Sequence, residues 1–231
     1  MILYELNGKE DFRFSPHVWK VLMALQHKNL TDDLKRIPVK FSDKTPISEK
    51  GFKTVPVLVD NDKWIGDSVK IAEYLDYTYP NKKSVLGNET TKNITLILAK
   101  YIDYNFIPGF AKVILGDIFN HIHTDDKEYF RMTREKMMGA TIEEVANNSD
   151  NQIILLQKQL EPFRKILRET PFIAGSQPMF CDYYLFGFFM WARCSSPKNL
   201  LEEDDPIREW REKMLDLYDG FARKARGYSK T

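Results

Sequence analysis

The feature that most restricts this chain is a change of period near residue 82. Before it, short β-branched runs alternate with helical spacings; beyond it no strand pattern recurs. ILYEL (2–6), LKRIPV (34–39), VPVLVD (55–60) and KWI (63–65) read as strands, the last two joined by the turn Asp60-Asn61-Asp62. PHVWKVLMALQHK (16–28) sets Val18, Val21, Leu22 and Leu25 on one helical face. SVKIAEYLDYTYP (68–80) does the same with Val69, Ala72, Leu75 and Tyr79, and Pro80 stops it. The order is β-α-β, a loop, then β-β-α.

From residue 89 the chain reads as helices. Residues 90–122 form one apolar helical run that should break near Pro108–Gly109, and residues 126–148 form a charged one with a bend at Gly139. Residues 151–169 carry Ile153, Leu156, Leu160, Phe163 and Leu167 along one face of a single helix. CDYYLFGFFMWAR (181–193) is apolar all round and predicts the central helix of a bundle. Residues 206–225 place Ile207, Trp210, Met214, Leu217, Phe221 and Ala225 on one face. The expected class is α+β: residues 1–82, a linker at about 83–88, and an all-helical domain over 89–231.

Thirty-four Lys and Arg against 33 Asp and Glu leave a net charge of +1, which supplies no field for nucleic acid or an anionic membrane. The basic end ARKARGYSKT reads as a short solvated tail. No apolar run has the length of a membrane span, and MILYELNGKE lacks the signal-peptide pattern. Two cysteines, Cys181 and Cys194, read as reduced core thiols. These features predict a cytoplasmic chain. His121 and His123, two residues apart, do not share a helix face, so no metal site is expected.

Pro56 interrupts an otherwise buried β run, Val55 to Val59, where it has no N–H to donate. A cis Val55–Pro56 bond at this strand entrance would show the N–H and C=O of Val55 to solvent as a short edge for an extended peptide. Gly66-Asp67-Ser68 then opens a helix at Ser68. Its free N–H groups would attract a carboxylate, and Asp67 an ammonium. Taken singly, Ser68 is a cap and Pro56 an ordinary trans strand entrance. Taken together they would hold a small extended peptide with a zwitterionic end, and glutathione is such a molecule. FSP (14–16) supplies Ser15 ahead of Pro16 at a helix start, which alone is an ordinary cap.

On TVPVLVD and GDSVKIAEYLD, followed by helices alone, the chain resembles the glutathione transferase superfamily. FSPHVWKVLMALQHKNL, YFRMTREKMMGATIEEV and residues 182–228 are similar to the etherase-type branch, bacterial β-aryl etherases and their fungal relatives. The resemblance implies a thioredoxin-like first domain and a homodimer. It also implies glutathione as cosubstrate, bound by Val55, Pro56, Asp67 and Ser68, and a small hydrophobic electrophile as partner. It makes Ser15 the catalytic contact of the glutathione sulfur. Relatives carry a basic residue directly before Val-Pro; here Thr54 stands there, and Lys53 is the candidate for the glycyl carboxylate. They also carry Ser or Thr three residues before the Asp at position 182; here it is Met179. The lack of Cys at position 15 disfavours a thiol–disulfide oxidoreductase. A non-catalytic carrier of glutathione or apolar ligands is the alternative. Phe106, Phe110, Phe119 and Tyr104 are candidates for the acceptor wall, His17 for the site mouth. Trp19, Trp64 and Trp191 read as packing, and Arg131 and Arg134 as salt-bridge formers.

Overall fold

The structure is a computed structural model that describes residues 1–228. The first region runs β1 (Ile2–Leu6), α1 (Pro16–His27), β2 (Lys35–Val39), the single turn α2 (Thr45–Ser48), β3 (Val57–Asp60), β4 (Lys63–Gly66) and α3 (Ser68–Thr78). The strands form one mixed sheet in the order β2-β1-β3-β4. β1 is parallel to β2, as the intervening helix requires, and antiparallel to β3, which pairs antiparallel with β4. This is the thioredoxin-like arrangement. Pro38 is tolerated because β2 is an edge strand. Under the loop that leads into α1, the buried carboxylate of Glu5 takes Arg13 at 2.7 Å and Arg36 at 2.6 and 2.8 Å.

Helices follow: α4 (Glu89–His121), α5 (Lys127–Met138), α6 (Ile142–Asn147), α7 (Ser149–Gln159), α8 (Glu161–Glu169), α9 (Phe180–Ser195) and α10 (Pro206–Gly220). α9 is buried along its length save for Trp191, as its all-round apolarity predicts. Gly187 lets it touch the sheet region: a Cβ there would collide with the carbonyl oxygen of Pro16 and lie 3.0 Å from Lys20 Cγ. No helix among the described residues is long and apolar enough to cross a membrane.

Several expected breaks fall differently. α4 continues through Pro108, because Pro108 faces solvent while Phe106 and Phe110 hold both halves in the core. At Gly139 the helix stops rather than bends: Gly139 takes φ 68°, and Thr141 restarts the chain with a capping box to Glu144. The run 151–169 is two helices meeting at Leu160, with Pro162 inside the first turn of α8. α10 loses helical geometry from Leu217 to Asp219, so Phe221 and Ala225 do not extend its apolar face. The basic end is pinned: Arg226 pairs with Glu10 at 2.6 Å and the N–H of Tyr228 donates to the carbonyl of Arg193 at 2.8 Å. The expected tail and helical domain run on to residues 229–231, which lie outside the described residues.

Residues 79–88 join the two regions around Asp76. Its carboxylate accepts from Lys28 Nζ at 2.9 Å, Ser84 Oγ at 2.6 Å, and the N–H groups of Val85 at 3.0 Å and Leu86 at 2.9 Å. Burial alone would raise the Asp76 pKa; these donors outweigh it and hold the carboxyl below the usual range. The N–H of Phe180, first residue of α9, donates to the carbonyl of Val85 at 2.9 Å. One connection thus ties α3, α1 and the central helix together.

Candidate active site

A cleft of about 410 Å³ opens between the sheet region and the helices. Ser15, Pro16, His17, Lys44, Lys53, Thr54 and Val55 lie along one side of it. Ser15 is the cap of α1. Its backbone is extended, its side chain is 6% exposed, and its Oγ accepts from the N–H of Val18 at 3.5 Å. Because Oγ serves the backbone as an acceptor, its hydroxyl proton is left to donate elsewhere. The position also receives the positive end of the α1 dipole.

The Val55–Pro56 bond is cis, and β3 begins only at Val57. Among the described residues the N–H and C=O of Val55 have no backbone partner. Asp67, not Ser68, is the cap of α3. It takes φ 72° and accepts the N–H groups of Val69 at 2.9 Å and Lys70 at 3.1 Å. This corrects the expected tip: two of its N–H groups already have a carboxylate, and among the described residues the N–H of Ser68 keeps none. Ser15, Lys53 and Val55 share the cleft; Pro56, Asp67 and Ser68 do not line it.

The opposite side is made by Ile107, Ala111, Leu115 and Ile118 from α4, Tyr129, Phe130, Arg134 and Met137 from α5, and Phe188 and Trp191 from α9. The expected acceptor wall is therefore displaced. Phe106 and Phe110 are fully buried, Tyr104 is 84% exposed, and Phe119 packs behind Phe130. Trp191, expected to be packing, lines the cleft. α5 is brought over the cleft by Asp126, whose buried carboxylate accepts from the N–H of Phe41 at 3.2 Å, the N–H of Ser42 at 2.8 Å and Ser42 Oγ at 2.5 Å. Arg131 forms the expected salt bridges, to Glu135 at 2.6 Å and Glu143 at 2.7 Å. Arg134 forms none among the described residues; it lines the cleft with its guanidinium 5.0 Å from the Phe130 ring and 5.5 Å from the Phe41 ring.

A buried polar cluster lies behind Ser15. Lys20 is fully buried, with Nζ 3.1 Å from His17 Nδ1, 3.3 Å above the Tyr184 ring and 3.8 Å from Asp103 Oδ1. Burial pushes the Lys20 amine down to about 7, against the opposing charges of Asp103 and Asp67. Burial, then the charge of Lys20, push His17 down to about 3, so its ring is neutral at physiological pH. The Tyr184 hydroxyl donates to Asp103 Oδ2 at 2.8 Å, while Oδ1 is buried without a hydrogen bond among the described residues.

Cys181 and Cys194 are free and buried. Burial raises the thiol pKa of both, that of Cys194 to about 12, so neither is an available thiolate. His121 stacks on Phe12 and bonds Tyr228 at 3.0 Å. Among the described residues no group of three or more His, Cys, Asp or Glu comes together to hold a metal ion.

Residues 95–218 match the family model for the glutathione S-transferase C-terminal domain, and residues 14–78 that for the N-terminal domain. Glutathione S-transferase U2 of Arabidopsis thaliana is 32% identical over 112 residues, 46% of this chain and 48% of that one. A glutathione S-transferase-like protein of Aspergillus flavus is 25% identical over 140 residues, 54% and 49% of the two chains. The chain spans about half the length of these curated relatives. A glutathione S-transferase of Ceriporiopsis subvermispora, solved in complex with glutathione, superposes with a TM-score of 0.82 at 23% identity, over 94% of this chain and 96% of that one. A glutathione transferase from Phanerochaete chrysosporium gives 0.76 at 23% identity, over 95% and 91%. At these identities the likeness is one of fold.

Proposed function

The chain belongs to the glutathione S-transferase family, and on that premise we propose that it activates the thiol of glutathione for attack on a hydrophobic electrophile. The supporting observation is that Ser15, at the positive end of α1, shares one apolar-walled cleft with the unpaired backbone of Val55. In this reading residues 1–82 bind glutathione and the helices from 89 onward supply the acceptor side. The cysteinyl amides pair with Val55 beside Pro56, and Lys53 takes the glycyl carboxylate. The γ-glutamyl end meets the Ser68 N–H and the negative charge of Asp67. The sulfur lies at Ser15.

A free thiol has a pKa near about 8.5 and is mostly protonated at neutral pH. A hydroxyl donor and a helix dipole aimed at the sulfur favour the thiolate. The thiolate then forms a C–S bond to the electrophile as the leaving group departs with its electron pair, and the thiol proton passes to solvent. Cleavage of a β-aryl ether is one such displacement, with an aryloxide leaving the ether carbon. The similarity of residues 182–228 to etherase-type transferases favours it, and turnover across aryl ethers and halonitroarenes decides it.

Replacing Ser15 by Ala should lower kcat/KM by about 100-fold, the range seen for one lost donor at a developing anion. The apparent pKa of bound glutathione should rise toward that of the free thiol. The lost cap costs about 1 kcal/mol, so unfolding is followed in parallel. Full activity in the variant would remove Ser15 from the mechanism. Tight glutathione binding without turnover of any electrophile would instead make the protein a carrier. A disulfide-reduction assay should stay silent.

We also propose a two-fold dimer. Ile94, Ile97, Tyr101 and Tyr104 recur every three or four residues on α4 as an exposed apolar strip, and Tyr77 on α3 is exposed as well, with Tyr77 87% and Ile97 71% exposed. Light scattering should give twice the monomer mass, and Ile97→Glu should halve it; an unchanged mass in that variant excludes this strip. The cytoplasm is the compartment that fits two unoxidised buried thiols, and cell fractionation checks it.

A further inference from the structure

Two arginines on one helix are used differently. Arg131 is clamped by two glutamates. Arg134, one turn on, has no carboxylate within ion-pair distance among the described residues; its one hydrogen bond is to Thr133 Oγ1 at 3.0 Å. It is half-buried among Phe41, Phe130 and Tyr129, and burial lowers its pKa. Lys44 lines the same cleft, with Nζ donating to the carbonyl of Phe41 and lying 5.5 Å from the Tyr129 ring. Burial, then the charge of Arg134, lower the Lys44 pKa, against the opposing carboxylate of Asp126 nearby. A half-buried guanidinium without an ion-pair partner is costly unless an anion joins it. Glutathione's own carboxylates have other partners in the proposed binding mode, at Lys53 and the start of α3. The unmatched guanidinium of Arg134 is therefore left for the acceptor.

We propose that the acceptor is a flat apolar molecule bearing a carboxylate, and that Arg134, with Lys44 beside it, selects that group. Ring surface from Tyr129, Phe130, Phe188 and Trp191 suits the apolar body. A planar guanidinium binds a carboxylate through two parallel N–H···O bonds, which an ammonium cannot copy. This inference rests on the transferase reading of the same cleft.

The test compares 4-chloro-3,5-dinitrobenzoate with its methyl ester. In both, the thiolate sulfur bonds to the ring carbon bearing chlorine, chloride leaves with the bonding pair, and the thiol proton goes to solvent. Arg134→Gln should lower kcat/KM for the carboxylate by about 10- to 100-fold and change the ester by less than about twofold, with the KM for glutathione unmoved. Arg134→Lys should keep part of the preference. Equal losses on both acceptors, a raised KM for glutathione, or no change at all would overturn the inference. A second arm needs no turnover: 2-naphthoate and methyl 2-naphthoate are titrated in the presence of glutathione. Selective weakening of naphthoate in Arg134→Gln supports the carboxylate site even if neither chloroarene reacts, in which case the transferase reading alone fails. Turnover without any carboxylate preference, in rate or in binding, sinks the inference alone.

Discussion

On one side of the cleft Ser15 and Val55 are set by backbone; on the other, Leu115, Tyr129, Arg134 and Trp191 are set by packing. The first side offers a capped helix start and, among the described residues, an unpaired peptide unit; the α3 tip at positive φ lies outside the cleft lining. Such groups point where the main chain sends them, whatever the neighbouring side chains are. The second side is a set of side chains from α4, α5 and α9, and each substitution there changes shape or charge. A common cosubstrate is suited to the first kind of surface and a variable acceptor to the second. In the proposed transferase the reaction class can therefore stay constant while the acceptor changes.

The two sides meet where α9 crosses the first turn of α1, and Gly187 makes that crossing possible. An added Cβ would collide with the backbone oxygen of Pro16, next to Ser15, and no rotamer change moves a carbonyl aside. Gly187→Ala should cost about 3 kcal/mol in urea unfolding, at the upper end of overpacking effects. It should also weaken glutathione binding, because α1 must shift away from α9. A stability change under about 0.5 kcal/mol, the level of a neutral surface substitution, would mean that the two sides are not rigidly joined here.

The backbone-built side was the more readable in the sequence, for a physical reason. Proline and cap residues report local geometry directly: Ser15-Pro16 marks the α1 start and Pro56 the entrance to β3. The same cues mislead where packing outweighs them. Pro108 signals a break, yet Phe106 and Phe110 keep α4 continuous. Met179 lacks a capping oxygen, yet α9 starts cleanly. Asp182 accepts the N–H of Met179 at 3.0 Å, the half of a capping box that needs no hydroxyl at the cap, and the N–H of Phe180 donates to the carbonyl of Val85 at 2.9 Å, so a partner distant in sequence takes a helix-start donor. Arg134 and Arg131 carry the same local signal, a basic residue on a charged helix. Only the docking of α5 through Asp126, and the placing of Glu143 beyond Gly139, separates the one that lines the cleft from the one held in salt bridges. The acceptor side is unreadable for that reason: its membership depends on how helices far apart in sequence pack.

Lys20 lies at this junction and makes the smallest expected effect, a dependence of stability on pH. The unfolded chain keeps the Lys20 proton to about pH 10.5, the ordinary lysine value, whereas burial makes the folded chain release it near pH 7. Between those values the unfolded state binds the extra proton, so stability rises with pH, by at most about 1.4 kcal/mol per unit. Below pH 7 both states are protonated, the slope vanishes and the burial cost is borne in full. Lys20→Met removes the ammonium but keeps a chain of similar length against Tyr184 and Phe188. Groups shared by the two proteins cancel when their slopes are subtracted, and His17, already neutral above about pH 3, does not titrate in this window. Urea midpoints measured from pH 7 to 9 should rise in the parent protein relative to Lys20→Met. Parallel curves would mean that the ammonium stays charged in the fold, held by Asp103 and Asp67 more strongly than burial opposes it. In that case the junction would be an ion cluster, and the two sides would be joined by charge as well as by the close contact at Gly187.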